Sequence, residues 1–195
     1  MWTTWNKFAE KERKLATRHD VIIAGIGGRG ALIIGQVLAQ AAMLRYKHIL
    51  WHPNYTTARR GAPADATVIF SDEEITSPLV PQAQALVVVE SSRLKPFEHR
   101  VQSGGCIFIE SFGLKEKVER KDVSTIEIPG MEIAARLGDT QVGNFILLGA
   151  YVGTTKVISP ELITEEIERR FGSNERMLLL NSKAFKEGLR LVKSE

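Results

Sequence analysis

A single cysteine, Cys106, stands in 195 residues. That excludes an intrachain disulfide, an iron–sulfur cluster ligated by this chain's own cysteines, and a cysteine-based structural zinc site. Long apolar runs are also missing, since no stretch approaches the roughly 20 residues that a membrane-spanning helix needs. Neither sign of charge is concentrated. Lys plus Arg number 26 against 23 for Asp plus Glu, and the excess of +3 is spread along the chain. A surface that tracks phosphates needs clustered cations, so a dedicated nucleic-acid role is excluded. The opening MWTTWNKFAEKERKLATRHD lacks the apolar middle of a secretory signal, and the expected location is cytoplasmic.

What is present suits one soluble domain. The length matches a single ordinary domain, and 44% apolar with 25% charged residues is enough to bury a core. Residues 1–19 differ in texture, with five cations, two anions and Trp2, Trp5, Phe8 and Leu15 among them. Trp5 and Phe8 lie three apart, and Phe8 and Leu15 seven apart, the spacing of one helical stripe. We read this segment as an N-terminal docking arm, with a polar tail as the alternative, and residues 20–195 as a single domain.

Within that domain Val21–Ala24 is a short continuous apolar run, then come Gly25-Ile26-Gly27-Gly28-Arg29-Gly30, then a helix of small and branched residues over Ala31–Leu44. Strand, glycine turn and helix open a parallel α/β unit. Further strand-like runs are Ile49–Trp51, Ala66–Phe70, Ala85–Val89, Cys106–Ile109 and Ser124–Ile128. Residues apolar at consecutive positions suit strands covered on both faces. Helices are expected at Leu94–Val101, Ile133–Leu137 and Asn144–Val152. Another opens at Ser159-Pro160-Glu161 and stops at Gly172, and a last one spans about Asn181–Val192. The fold class read from this pattern is α/β: a three-layer Rossmann-like domain with a mostly parallel sheet and helices on both faces.

Gly25, Gly27 and Gly30 satisfy G-x-G-x-x-G between a strand and a helix. In such a turn the first glycine permits the tight bend, the second lets a ligand approach the backbone, and the third lets helix and strand pack. Free N–H groups at the helix start favour phosphate or carboxylate, and Arg29 adds a cation at the rim. Arg59-Arg60-Gly61 lies on a polar stretch between two strands, where loops of α/β proteins line the ligand crevice, and guanidinium forks suit the same anions. A subunit salt bridge or a solvated loop is the other reading of that arginine pair. Dinucleotide binding also requires an acid at the end of the second strand, and Ile49-Leu50-Trp51-His52-Pro53 has none; the next carboxylate is Asp65. A turn without any ligand therefore stays open beside a nucleotide site.

Other chemistry is scarce. His19, His48, His52 and His99 share no metal-ligand spacing, and Cys106 beside Gly105 reads as a buried core thiol. Glu90-Ser91-Ser92 follows the Ala85–Val89 strand at a position where a ligand contact could sit.

Several segments together resemble the gamma subunit, or the equivalent fused domain, of 2-oxoacid:ferredoxin oxidoreductases. That family has G-x-G-G-Q-G before a helix rich in Gly and Ala, matched by Gly25–Gly30. It has a tyrosine-containing loop leading into R-G-G, matched by Tyr55 and Arg60-Gly61-Ala62. An I-x-S-P element is matched by Ile75–Pro78, and L-G followed by N-x-x-x-L-G by Leu137-Gly138 and Asn144–Gly149. Order and spacing agree over about residues 20 to 155. Arg29 replaces the glutamine and Ala62 the second glycine.

The resemblance implies an accessory subunit of a complex that decarboxylates a 2-oxoacid oxidatively to an acyl-CoA. Thiamine diphosphate, Mg2+ and [4Fe–4S] clusters are expected on partner alpha, beta and ferredoxin-like delta subunits, with ferredoxin or another acceptor taking the electrons. Gly138-Asp139-Thr140 is only a fragment of the diphosphate-anchoring element of thiamine enzymes and reads as a loop. Coenzyme A is the group this chain is expected to contact, through Gly25, Gly27, Gly28, Arg29, Gly30, Tyr55, Arg59, Arg60, Gly61 and Asn144. A stand-alone NAD(P)- or nucleotide-dependent Rossmann oxidoreductase is the alternative, and an interaction module that lost its ligand is a third.

Overall fold

A computed structural model describes residues 18–55 and 61–192. Six strands form one sheet in the order β2-β3-β1-β4-β5-β6. They are β1 (Arg18–Ala24), β2 (His48–Tyr55), β3 (Ala64–Ser71), β4 (Ala83–Val88), β5 (Val101–Glu110) and β6 (Ser124–Ile128). β1, β4, β5 and β6 pair in parallel, whereas β3 runs antiparallel to both β1 and β2. β3 alone opposes the rest. β1 starts at Arg18, so the expected arm overlaps the sheet by two residues. Its other residues lie outside those described.

Alternation along the strands builds a core on each face of the sheet. Val21 and Ile23 of β1 and Val87 of β4 join the first core, while Ile22, Ala24 and Val88 join the second. Over the first lie α1 (Ala31–Ala42), α3 (Gly130–Leu137), α4 (Gly143–Thr155), α5 (Pro160–Phe171) and α6 (Glu175–Leu191). Over the second, among the described residues, lies one helix, α2 (Leu94–Phe97), continued at both ends by 3-10 turns, with loop residues Ile75, Leu114, Val118 and Val123. Helices cover both faces as the sequence implies, but very unequally.

Helix boundaries follow local chemistry. Pro160 starts α5, but the Ser159 side chain makes no capping bond. Arg169 and Arg170 in the last turn instead reach Gln40 and Gln36 on α1. The last helix begins at Glu175, six residues before the sequence boundary, because Asn174 Oδ1 accepts the N–H of Met177 at 3.1 Å. The apolar run Met177–Leu180 hid that start. α4 and α6 cross very closely at Gly149 and Gly188, where a Cβ on Gly188 would overlap the Ile146 carbonyl. In β5 the pairing slips between Val101 and Cys106, a bulge that accommodates Gly104 and Gly105.

Candidate functional site

The turn Gly25–Gly30 leaves β1 at the carboxyl edge of the sheet, between β3 on one side and β4 on the other. Chain direction switches there, and α/β sheets open a ligand crevice at such a point. The turn is tied down on several sides. Gly27 N–H donates to Ala62 O at 2.8 Å, Gly61 N–H to Gly27 O at 3.3 Å, and Ala64 N–H to Gly25 O at 3.0 Å. These bonds continue the β1–β3 ladder into the two loops and place Gly61 against Gly27. The N–H of Gly25 is taken by the Asp65 carboxylate at 3.1 Å, whose other oxygen accepts from Arg93 at 3.2 Å. Asp65 is 4% exposed. It holds the base of the turn rather than a ribose, a role that only its isolation in an apolar strand could have signalled.

The glycines divide their work differently from the sequence expectation. Gly25 provides room: a Cβ there would stand 2.6 Å from Val89 Cγ2 and 2.8 Å from the Ala31 Cβ. Gly28 (φ +94°) and Gly30 (φ +75°) are the residues in the left-handed region. A Cβ on Gly30 would also overlap Asn144 Nδ2. Asn144 is buried in the first turn of α4, donates from Nδ2 to Gly30 O at 3.3 Å and accepts the N–H of Phe145 at 2.9 Å. It therefore locks α4 to the glycine turn. Among the described residues no acceptor meets the N–H groups of Gly28, Gly30, Ala31 or Leu32. They form the donor-rich, positive end of α1.

Two clefts flank the turn. The larger, about 270 Å3, has apolar walls from Ile26, Leu32, Ile33, Phe145, Phe171 and Met177, with the amides of Gln141, Asn144 and Asn181 among them. The smaller, about 30 Å3, lies at the strand ends among Arg29, Val89, Glu110, Met131 and Thr140. Gly28, Gln141 and Asn144 line both. Asn181 is 2% exposed and its Nδ2 meets no acceptor among the described residues. Leaving such a donor unpaired costs about 1–3 kcal/mol. Nothing in the residue pattern singles out Asn181, which sits inside an amphipathic helix.

Arg29 turns toward the strand ends. Its Nε donates to Glu90 at 3.0 Å and its Nη1 to the Met131 sulfur at 3.4 Å. Glu90, singled out beside two serines, is thus the counter-ion of Arg29. Glu110 is buried at the end of β5, where burial pushes its carboxyl above the ordinary range, opposed by the N–H groups of Phe112 and Met131 and by Arg29. Tyr55 is 65% exposed at the end of the edge strand and lines neither cleft. Arg59 and Arg60 lie outside the described residues.

Among the described residues, reacting groups are not gathered here. Burial raises the pKa of the Cys106 thiol, which sits in mid-strand. Asp139 accepts the N–H of Gln141 at 2.9 Å as the cap of a 3-10 turn, after Gly138 ends α3, so Gly138-Asp139-Thr140 is a capped loop. Among the described residues no group of three His, Cys, Asp or Glu could hold a metal ion, and no helix is long and apolar enough to cross a membrane. The donors at α1 and the amide-bearing apolar cleft fit a phosphorylated organic ligand such as coenzyme A. One thiol and a capping Asp139 do not fit thiamine diphosphate or an iron–sulfur cluster.

Fold and site together define an α/β domain with a donor-rich glycine turn at the switch point of its sheet. Residues 20–191 match the family described as pyruvate ferredoxin/flavodoxin oxidoreductase, and the chain belongs to that family. It is 31% identical over 170 residues to ketoisovalerate oxidoreductase subunit VorA of Methanothermobacter thermautotrophicus, covering 86% of this chain and 35% of that subunit. It is 29% identical over 184 residues to 2-oxoglutarate synthase subunit KorC of Methanothermobacter marburgensis, covering 90% of this chain and 97% of that one. The chain thus spans about a third of one relative and nearly all of another. Among solved structures, the 2-oxoglutarate:ferredoxin oxidoreductase of Magnetococcus marinus with 2-oxoglutarate, coenzyme A and succinyl-CoA bound superposes with a TM-score of 0.82. That match has 20% identity and covers 91% of this chain and 31% of that one, a likeness of fold. The stand-alone nicotinamide enzyme is not supported. Its relatives are subunits of oxidoreductases, and the inserted β3 moves β2 away from the switch point.

Proposed function

We propose that the chain is the accessory, gamma-type subunit of a cytoplasmic 2-oxoacid:ferredoxin oxidoreductase that decarboxylates a 2-oxoacid oxidatively to an acyl-CoA. One observation carries this reading: the chain matches a separately named 2-oxoglutarate synthase subunit along 97% of that subunit's length. Partner alpha, beta and delta subunits would hold thiamine diphosphate, Mg2+ and [4Fe–4S] clusters and pass electrons to ferredoxin or another acceptor. This chain's single cysteine is consistent with that division.

Coenzyme A, when bound, supplies the thiol that takes up the acyl group. The chain's own task is to hold part of that ligand. The N–H groups of Gly28, Gly30, Ala31 and Leu32 would receive a phosphate, with Arg29, Arg59, Arg60 and Gly61 at the rim, and Gly25, Gly27 and Asn144 would keep the turn in shape. Tyr55, at the end of β2, precedes the segment with the arginine pair and would meet the ligand from the outer side. Support comes from the related structure that contains coenzyme A and from the donor-rich turn described above. The N-terminal arm would dock on a partner subunit.

Co-expression tests the proposal. The chain alone is expected to be colourless and inactive toward 2-oxoacids, and active only with its partner chains. Turnover of a 2-oxoacid by the isolated chain would overturn the accessory role. Gly28→Val, which places a branched side chain at φ +94°, should raise the KM for coenzyme A at least tenfold in the complex and leave the KM for the 2-oxoacid unchanged.

A further inference from the structure

Another cleft, of about 210 Å3, lies on the second face of the sheet and shares no lining residue with the two beside the glycine turn. Thr67 of β3 stands in register with Ile22 of β1, a member of the second core, and so points to that face. His52 of β2 is in register with Thr67, and Asn54 with Asp65. Side chains directly opposed in an antiparallel pair lie about 5 Å apart. The four therefore form one polar patch beside the apolar Ile22, Leu86 and Val88. The facing wall is built from Leu79, Val80 and Phe97, with Arg100 from the turn that follows α2.

Most of these polar groups have no partner. Asp65 is the exception: one oxygen accepts the N–H of Gly25 and the other accepts from Arg93, so its charge is already matched. Arg100 Nη2 donates to Val80 O at 2.8 Å, and its guanidinium stands over the Phe97 ring. Among the described residues no carboxylate pairs with it, and none bonds to the side chains of His52, Asn54 or Thr67. The remaining guanidinium N–H groups, an amide, an imidazole and a hydroxyl make the cleft rich in donors, around a single unmatched cation. One negative charge fits that balance, and the Asp65 carboxylate opposes a second. A planar carboxylate pairs with the guanidinium fork, and the aliphatic and aromatic wall takes a short carbon chain. We propose that this cleft binds a small organic monocarboxylate, with its oxygens on Arg100 and Asn54 and its chain against Leu79, Val80 and Phe97. The site lies apart from the glycine turn and stands independently of the coenzyme A assignment.

Amide NMR of the full chain tests it, with three probes titrated in turn. They are butyrate, its uncharged analogue butyramide, and ethyl phosphate, which is largely dianionic at neutral pH. Butyrate should shift the amides of Asn54, Thr67 and Val80 saturably, and should bind at least tenfold more tightly than either other probe. Arg100→Gln should abolish that binding. Because Arg100 also holds the Val80 carbonyl, Asn54→Asp serves as a second variant. Asn54 is exposed, and the exchange keeps its size while adding a negative charge beside the cleft. It should weaken butyrate at least tenfold while the circular dichroism spectrum is unchanged. Absence of a saturable shift at these three residues would overturn the proposal. So would equal binding of butyramide, equal or tighter binding of ethyl phosphate, or an unaltered affinity in Asn54→Asp.

Discussion

The two faces of the sheet are held by different physics. On the first face five helices supply apolar area, and α4 and α6 approach so closely that their contact is backbone against backbone at Gly149 and Gly188. On the second face one short helix and two loops cover Ile22, Leu86, Val88 and Ile107. Guanidinium groups bind backbone carbonyls in the loop and at the ends of the short elements on this face. Arg100 donates to Val80 O at 2.8 Å, and Arg120 to Glu98 O at 3.1 Å and to Val101 O. The guanidinium groups of Arg93 and Arg100 both stand over the Phe97 ring, at 5.2 and 5.5 Å from its centre. Stability on one side comes from area, and on the other from specific bonds.

That contrast can be broken from either side. The largest effect is expected from Gly188→Leu, which forces apart the tightest helix crossing; urea denaturation should show a loss of about 3 kcal/mol. On the thin face, Asp65→Ala strips Gly25 N–H and Arg93 of their acceptor and should cost about 2 kcal/mol. Hydrogen exchange should speed up at Gly25–Gly30 in that variant, and an unchanged rate would mean the turn is held by the β3 ladder alone.

Glu110 gives a pH signature. Burial raises its carboxyl above the ordinary value of 4.5, so the folded protein holds the proton more tightly than the unfolded chain does. Its stabilising contribution is complete below that ordinary value and is lost as pH rises through the folded-state value. Glu110→Gln should flatten the decline of stability across the mildly acidic range in thermal melts. A slope identical to wild type would assign the effect to Asp20, whose carboxyl is also raised by burial. The smallest change belongs to Glu132→Ala, which removes an exposed pair with Arg136 one helical turn away and should cost no more than about 0.5 kcal/mol.

Much of this was legible in the residues. The strand at Val21–Ala24, the glycine turn and the following helix lie where their pattern put them, and four short motifs in register were enough to name the family. The direction of β3 was not legible. Val68–Phe70 is apolar at consecutive positions and β3 is buried along nearly its whole length, and a strand covered on both faces carries no alternation that distinguishes parallel from antiparallel. Residues 72–82 and 111–123 gave no periodicity either, because single apolar anchors such as Val80 and Leu114 and scattered bonds made by Arg100, Lys95 and Arg120 hold them. At the site, the glycines could be read from spacing, whereas Asp65 and Asn181 depend on contacts between segments far apart in sequence.

The ladder from Gly27 to Ala62 has a mechanical consequence. Tyr55 is fixed in register with Ala64 at one end of the intervening segment, and Gly61 is bonded to Gly27 at the other. Gly61 and Ala62 are therefore bonded directly to the glycine turn, while Tyr55 is tied to β3 beside it. A displacement of the glycine turn is thereby passed to Gly61 and Ala62.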